Sequence, residues 1–279
     1  MAKPFFFADK SLDLSQTQVM GVLNVTPDSF SDGGKFTSLD AATRQAELMI
    51  SQGASIIDVG GESTRPGAAA ISQQQELDRV CQVVERICTR FDTIVSVDTS
   101  TPEVMSEAIR LGAGMINDVR AFSRPGAMDA VCNSSVALCV MHMRGSPESM
   151  QNHPVYHSVI DEVSAFLLNR VELLLSRGVD KQRVVIDPGF GFGKTLAHNM
   201  QLLNHIDRLC GLGYPVLVGV SRKSMFGEIL GKPVNDRLYG SLAAAALAAR
   251  QGAKIIRAHD VLETKDAMRV VDAISRFCA

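Results

Sequence analysis

Three segments of the chain share one pattern of hydrophobic and polar positions: a helix-ending Gly-Ala pair, a short apolar run, and then a polar residue. The pattern occurs as GASIID, GAGMIN and GAKIIR, at residues 53–58, 112–117 and 252–257. Glycine ends helices readily, and such apolar runs are typical of buried strands. Aligning the copies puts Asp58, Asn117 and Arg257 at one position, where a buried strand alone would have another aliphatic residue. Such breaks in a local rule usually mark function.

Five further apolar runs raise the number of predicted strands to eight; they lie at residues 19–24, 94–98, 137–142, 184–187 and 216–221. Helices are predicted to follow the strands at residues 40–52, 72–90, 102–111, 126–134, 157–177, 197–210, 236–251 and 263–277. Ser72 and Gln75 have the spacing of a capping box, and Thr101 precedes Pro102 at a first helical position. This strict alternation predicts an α/β fold, the (β/α)8 TIM barrel, with a doubly wound open sheet as the alternative.

In a barrel of this kind, chemistry is built at the carboxyl ends of the strands. We therefore expect the polar residues that end the predicted strands to converge on one mouth: Asn24, Asp98, Asn117, Asp187, Ser221, Arg257 and His259. No linker divides the chain, so residues 1–279 are predicted to form a single barrel domain. Residues 5–7 and 12–14 precede the alternation and are predicted to form a short N-terminal β-hairpin that plugs the barrel bottom.

The segments after the first two strands combine flexible backbone with reactive side chains. Residues 24–34 read NVTPDSFSDGG, and residues 60–67 read GGESTRPG. An ordinary polar turn, which is the alternative, has no need of Phe30 or Arg65. We therefore predict that both segments are active-site lids.

A glycine-rich loop follows the sixth strand, where residues 187–195 read DPGFGFGKT. A P-loop would need glycine in place of Pro188, and the GxGxxG motif would need glycine in place of Lys194, so neither nucleotide-binding motif is present. We predict a flexible loop that lets its backbone and Phe192 approach a flat ligand held by Asp187. A tight turn with Asp187 as a helix cap is the structural alternative.

Cations are concentrated after the seventh and eighth strands. Residues 221–224 read SRKS and lead straight into a short predicted helix, so Arg222 and Lys223 lie beside a helix amino terminus. Free N–H groups and the helix dipole favour an anion there. Arg257 and His259 add two donors on one face of the eighth strand, because residues two apart along a strand point the same way. We predict an anion site at this rim.

The composition narrows the classes of partner. The net charge is −2, there is no tryptophan and no basic stripe, so no nucleic-acid partner is expected. Apolar runs are shorter than a membrane span, and the first residues do not resemble a signal peptide. The six cysteines show no CxxC spacing, which favours free thiols in a reducing cytoplasm over disulfides or a zinc site.

Seven segments together closely resemble the dihydropteroate synthases, a bacterial family of folate biosynthesis. They are residues 24–34, 58–67, 96–99, 116–118, 141–143, 187–194 and 221–224, and the resemblance runs through all eight units in order. It implies a pterin-binding TIM barrel that condenses 6-hydroxymethyl-7,8-dihydropterin diphosphate with 4-aminobenzoate to give 7,8-dihydropteroate and diphosphate. It also implies a magnesium ion, two small-molecule substrates, a homodimer, and a pocket that sulfonamides occupy.

The resemblance also implies residue roles. Catalytic roles fall on Asp98, Asn117, Asp187, Lys223, Arg65, Arg257 and His259. Asp187, Asn117 and Asp98 would hold the pterin, with Lys223 at its polar edge and Met141 on its face. Asn24, Thr64, Arg257, Ala258 and His259 would surround the diphosphate, Asn24 supplying a ligand oxygen to Mg²⁺. The 4-aminobenzoate would lie near Phe30, Thr64, Arg65, Pro66, Phe192 and Ser221, with its carboxylate at the Ser224 helix terminus, and Arg222 is a further substrate-binding residue.

The implied mechanism is dissociative: diphosphate leaves before the weakly basic aryl amine arrives, and Asp98 and Asp187 stabilise the pterin cation. Two alternatives belong to other classes. A pterin-dependent methyltransferase barrel shares the aspartate and asparagine constellation, but it has no need of the cations at Arg65, Arg222 and Lys223. A non-catalytic pterin-binding protein would show gaps among the catalytic positions, and the sequence has none.

Overall fold

The computed structural model describes residues 4–25, 35–62, 71–145, 150 and 154–277, with only the backbone for residues 35–37. Of the predicted site residues, Phe30, Thr64, Arg65 and Pro66 lie outside these ranges. Most of each predicted lid therefore lies outside the described residues, and the role of the lids stays a prediction.

The chain begins with an antiparallel hairpin of β1 (Phe5–Phe7) and β2 (Lys10–Leu12), which confirms the predicted hairpin with its second strand two residues earlier. Eight parallel strands follow: β3 (Gln18–Asn24), β4 (Ile56–Gly60), β5 (Ile94–Asp98), β6 (Met115–Asp118), β7 (Ala137–Met141), β8 (Val184–Asp187), β9 (Leu217–Val218) and β10 (Ile255–Ala258). Their order is β8-β7-β6-β5-β4-β3-β10-β9. A parallel bridge between Ile186 and Val216 joins the two ends of the sheet. The TIM barrel is confirmed, and the open sheet is excluded.

Helices cover the outside of the barrel: α1 (Lys35–Ser51), α2 (Gln73–Arg90), α3 (Pro102–Arg110), α4 (Ala127–Cys132), α5 (Val159–Ser176), α6 (Leu196–Asn204), α7 (Ile206–Cys210), α8 (Ser224–Leu230), α9 (Leu238–Arg250) and α10 (Val261–Phe277). The predicted helix 197–210 is two helices, because His205 leaves the helical conformation at φ −129° and ψ 34°. The Ser72 and Gln75 capping box is confirmed. Thr101 precedes α3 as predicted, but its hydroxyl donates to Glu76 at 2.6 Å instead of capping the helix.

The barrel strands alternate between an interior face and a face covered by helices. Along β5, Val95 and Val97 pack in the apolar layer beneath the helices, while Ile94 faces the interior. Ile94 packs at the barrel bottom together with the fully buried Phe7 of the hairpin. Two residues further along, the interior position is polar in five of the strands: β4, β5, β6, β8 and β10. The hairpin therefore closes the apolar bottom, and the polar layers lie above it.

Candidate active site

The three residues at the aligned position of the repeated pattern meet inside the barrel. Asp58 is completely buried, and its Oδ2 accepts a hydrogen bond from Arg257 Nε at 2.6 Å. Asn117 Nδ2 donates to the same oxygen at 3.5 Å, and Ser96 Oγ donates to the other carboxylate oxygen at 2.6 Å. Each of the three follows a bottom-layer residue by two positions, so period-two alternation brings them to one level of the interior.

Arg257 links this polar layer to the barrel mouth. Its Nη2 donates to Asp98 Oδ2 at 3.0 Å, so the guanidinium is held between the carboxylates of Asp58 and Asp98. Burial alone lowers the pKa of Arg257, but the two carboxylates outweigh burial and raise it. The cation is therefore permanent and fixed in direction.

Asn117 carries a buried acceptor that has no partner among the described residues. Its amide nitrogen faces Asp58, and no donor in the described part of the chain reaches its buried Oδ1. Buried polar atoms normally have a partner, and an unpaired one marks a place where a ligand can complete the set. A ligand that completes the set would have to donate an N–H or O–H group to this atom.

Two carboxylates face the same region at the ends of β5 and β8. Asp187 Oδ1 accepts from the backbone N–H of Gly189 at 2.7 Å, and Asp187 pairs in register with the buried Met141 of β7. Burial raises the pKa of Asp187 to about 6, against this hydrogen bond and the nearby lysines. Burial likewise raises the pKa of Asp98 to about 7, against Arg257. Both are placed to accept hydrogen bonds or to stabilise a positive charge.

Lys223 lies opposite these carboxylates and over an aromatic ring. Its Nζ is 4.3 Å from the ring centroid of Phe192, a cation–π contact. Burial and the charge of Arg257 lower the pKa of Lys223 to about 8, against the attraction of Asp187. The ammonium and the ring together form one wall of the mouth.

Comparison with known proteins identifies the family. Residues 20–259 match the family described as pterin binding enzyme. The dihydropteroate synthase of Escherichia coli strain K12 is 52% identical over 268 residues, covering 96% of this chain and 95% of the relative. The chain belongs to the dihydropteroate synthases. It is therefore an enzyme, a transferase.

Solved structures of dihydropteroate synthases superpose closely on the whole chain. The Yersinia pestis enzyme with a sulfonamide drug complex has a TM-score of 0.92 at 50% identity and covers 96% of this chain and 97% of its own. The Xanthomonas albilineans enzyme with 4-aminobenzoic acid has a TM-score of 0.93 at 47% identity, covering 98% and 99%. The predicted family, fold and activity class are thus confirmed.

The synthase fold places the two cations of the SRKS segment in different directions. Lys223 faces the mouth, whereas Arg222 Nε donates to Asp260 Oδ2 at 3.0 Å and Nη2 to the other carboxylate oxygen. Arg222 adopts φ 57°, and its N–H donates to Ser241 Oγ at 2.8 Å. The guanidinium of Arg222 is thus already paired with Asp260 in this structure. Its predicted contact with substrate stays a prediction. Ser224 begins α8 as predicted.

His259 and Ser221 form a neighbouring pair at the rim of the synthase barrel. The backbone N–H of His259 donates to Ser221 Oγ at 3.1 Å, and His259 Nδ1 lies 3.0 Å from the same oxygen. Burial and the charge of Arg257 lower the pKa of His259 to about 4. His259 is therefore neutral near pH 7, next to the fixed cation. Ala258, between Arg257 and His259, is buried and brings its backbone close to both.

Asn24 is the predicted magnesium ligand of this synthase. A Cβ built on Gly60 would lie 3.8 Å from Asn24 Oδ1 and 3.9 Å from Asp98 Oδ2, so both oxygens flank Gly60 at the mouth. Hard oxygen donors of this type suit Mg²⁺. Among the residues described, no group of three His, Cys, Asp or Glu side chains is arranged to hold a metal. The oxygen chemistry of Asn24 fits the predicted role, and the magnesium ion itself stays a prediction.

Sequence reasoning assigned no site role to four residues that the structure brings into the site: Asp58, Ser96, His142 and Lys194. Asp58 stood in the repeated pattern, and Ser96 lies two residues before Asp98 on the same strand face, so periodicity alone could have found both. Nothing in the sequence indicates the contact between His142 and Lys194.

Proposed function

We propose that the barrel mouth transfers the dihydropterinylmethyl group from its diphosphate to the amine of 4-aminobenzoate, giving 7,8-dihydropteroate and diphosphate. The observation that carries this proposal is the set of acceptors from Asp187, Asn117 and Asp98 opposite the single ammonium of Lys223. A pterin has the matching order of groups: an amidine-like N–H edge and, beside it, a carbonyl and a ring nitrogen that accept. Met141 would pack on the face of the ring.

The transfer is dissociative. The bond between the methylene carbon and the diphosphate oxygen breaks first, the bond to the amine nitrogen then forms, and the amine loses one proton to the departed diphosphate. The positive charge left on the dihydropterin lies within reach of the buried carboxylates of Asp98 and Asp187. Preorganised charges in a site of low dielectric constant stabilise such an ion strongly.

The leaving diphosphate lies beside Arg257 and His259. Arg257 cannot lose its proton, and its fixed position between Asp58 and Asp98 lets it meet the charge without reorganising. Asn24 would hold Mg²⁺, which when bound neutralises charge on the diphosphate. Thr64 and the backbone at Ala258 complete the predicted surroundings.

The 4-aminobenzoate occupies the side of the mouth formed by Phe192 and Ser221. Phe30, Thr64, Arg65 and Pro66 of the two predicted lids would complete this side, and Ser224 at the start of α8 would face the carboxylate. Sulfonamides would bind to the same side. Closure of the lids would exclude water, which could otherwise capture the pterin cation.

We further propose a homodimer in the bacterial cytoplasm. The adjacent helices α9 and α10 expose Leu247, Val270 and Ile274 by 56%, 60% and 47%, which supports burial against a second copy. The five cysteines within the described ranges are all free thiols, as the cytoplasm favours. In the part of the chain that the structure describes, no helix combines the length and apolarity needed to cross a membrane.

The test of the activity is formation of diphosphate and dihydropteroate by the purified protein with Mg²⁺ and both substrates. We expect Asp187→Asn and Lys223→Met to lower kcat/KM by about 10²-fold each, because each removes a group that contacts the pterin. Lys181→Met is the matched control, since Lys181 also lies over an aromatic ring, 4.8 Å from the centroid of Tyr214, but directly before β8 begins, at the end of that strand opposite Asp187. Binding of the pterin without diphosphate release by the wild type would instead support the non-catalytic alternative.

A further inference from the structure

Lys194 belongs to the glycine-rich loop that matched no nucleotide-binding motif, and it is buried to 3% exposure. Lysine is almost never fully buried without partners. The ammonium has one acceptor for each of its three N–H groups: Gly189 O at 2.9 Å, Phe192 O at 3.1 Å and His142 Nδ1 at 2.9 Å. The carbonyl oxygen of His142 lies further away, at 3.5 Å. Lys194 thus has a complete set of partners and does not reach the substrate side of the mouth.

His142 accepts from Lys194 because it is neutral. Burial, with the charge of Lys194, lowers the pKa of His142 to about 3. A neutral imidazole whose Nδ1 accepts carries its proton on Nε2. Burial also lowers the pKa of Lys194 to about 7, against the attraction of Asp187. The contact therefore joins the loop after β7 to the loop after β8, with Lys194 as the donor and a neutral imidazole as the acceptor.

The backbones of these two loops are in direct contact around the ammonium. Gly189 and Gly193 have φ of +68° and +65°, and a Cβ on either would lie 1.9 Å from His142 O or 2.3 Å from Arg144 O. Gly191 N–H donates to Asn199 Oδ1 at 2.9 Å. The loop is therefore folded to one conformation around Lys194.

This conformation sets two groups of the site. The N–H of Gly189 holds the Asp187 carboxylate at 2.7 Å, and the ring of Phe192 meets Lys223. Both contacts come from residues whose carbonyl oxygens accept from Lys194. We propose that Lys194 is a positioning residue: its ammonium is the internal cation around which residues 188–193 fold, and through them it aims Asp187 and Phe192 at the substrates. The inference rests on the proposed function for the roles of Asp187 and Phe192.

The first test is hydrogen exchange of the backbone amides of Gly189, Gly191 and Phe192 in the full-length, ligand-free protein. We expect Lys194→Met to speed exchange at these amides by about tenfold or more, because the loop loses its central cation. Lys181→Met is the matched control, since Lys181 lies over the ring of Tyr214 away from this loop. Unchanged exchange in Lys194→Met would overturn the proposal. This readout does not depend on the reaction.

The second test is a double-mutant cycle with His142→Phe, which removes one acceptor and keeps a ring against Phe166, whose centroid lies 4.9 Å from that of His142. We expect Lys194→Met to lower kcat/KM by about 10²-fold, with a higher KM for 4-aminobenzoate. The double variant should be no worse than Lys194→Met alone, whereas multiplied effects would contradict the proposal.

If Lys194→Met does not fold, faster exchange in His142→Phe supports the proposal and unchanged exchange overturns it. A wild-type protein that makes no dihydropteroate would refute the proposed function only.

Discussion

At the residue scale, the site arises because three strands have a polar residue at the same position, where an aliphatic residue would continue the core. Ile56, Met115 and Ile255 pack in the bottom layer, and the residue two positions later in each strand is polar. Because side chains two apart in a strand share a face, the polar residues form the next level up. The site thus continues the core, with Asp58, Asn117 and Arg257 at positions where aliphatic side chains would otherwise pack.

Replacing Asp58 by asparagine tests this level. Asp58→Asn keeps the shape but leaves Arg257 with one carboxylate partner, and it removes a buried charge. We expect the free energy of unfolding to fall by about 3 kcal/mol and kcat/KM by about 10²-fold, measured by denaturant titration and steady-state kinetics.

Ser96→Ala is the matched control for Asp58→Asn. It removes only the hydroxyl bound to the other oxygen of Asp58, so we expect a loss of about 2 kcal/mol in stability with a much smaller change in kcat/KM. Equal losses of activity in both variants would show that Asp58 contributes no more than a structural hydrogen bond.

At the element scale, loops after neighbouring strands support one another by backbone contact. The loop after β8 lies against the loop after β7 so closely that two of its glycines have no room for a side chain. The position of the Asp187 carboxylate therefore depends on both loops together. Similarly, Glu76 in the first turn of α2 accepts from the hydroxyls of Thr99 and Thr101, which fixes the chain directly after Asp98.

Replacing Gly189 by alanine separates steric contact from backbone strain. Gly189 has a left-handed φ, and the Cβ of an alanine there would overlap His142 O. We therefore expect Gly189→Ala to lower kcat/KM by about 10²-fold or more. Gly178→Ala is the control, because its φ is +86° but nothing lies within 4 Å of the added Cβ. It should cost about 1–2 kcal/mol in stability and leave kcat/KM unchanged. Melting curves and kinetics on both proteins decide the question.

The elements were largely predictable because alternation is a local signal. The strands, the capping box and the three Gly-Ala helix ends could be read from residues close together in the chain. The break of the helix at His205 could not, because its sequence has no proline or glycine at that point. The contact of Lys194 with His142 was not predictable either, since it joins residues 52 apart that only the closed barrel brings together.

At the scale of the whole molecule, stability and chemistry are at opposite ends of the barrel. Phe7 is fully buried in the apolar bottom layer, whereas Asp98 and Arg257 lie in the polar layers above it. Phe7→Ala should lower the free energy of unfolding by about 3–5 kcal/mol while kcat at 25 °C remains near wild type. Phe6→Ala, on the exposed face of the same strand, should change stability by less than about 0.5 kcal/mol. A loss of kcat in a folded Phe7→Ala protein would contradict this separation.

The whole mouth also has a predicted pH dependence. Asp98 and Asp187 must be ionised to stabilise a cation, and their raised pKa values of about 7 and about 6 mean that kcat/KM falls as the pH drops through this range. Lys223 must be protonated, and its lowered pKa of about 8 means that kcat/KM falls again as the pH rises above it. Lys223→Arg should move the alkaline limb upward, because guanidinium keeps its proton. A profile in the variant identical to that of the wild type would show that Lys223 does not set this limb.

The guanidinium between two carboxylates also constrains how the chain is made. Arg257 lies 199 residues after Asp58 and 159 after Asp98, so on the ribosome both acids emerge well before their counter-ion. At about 5–20 residues per second, these separations correspond to an interval of roughly 8–40 s. Throughout it, enclosing either carboxylate would bury an uncompensated charge, which strongly disfavours early closure. Arrival of the last strand therefore closes the barrel and completes the catalytic charge pattern in one event, so a nascent chain has no partly folded form that is already active.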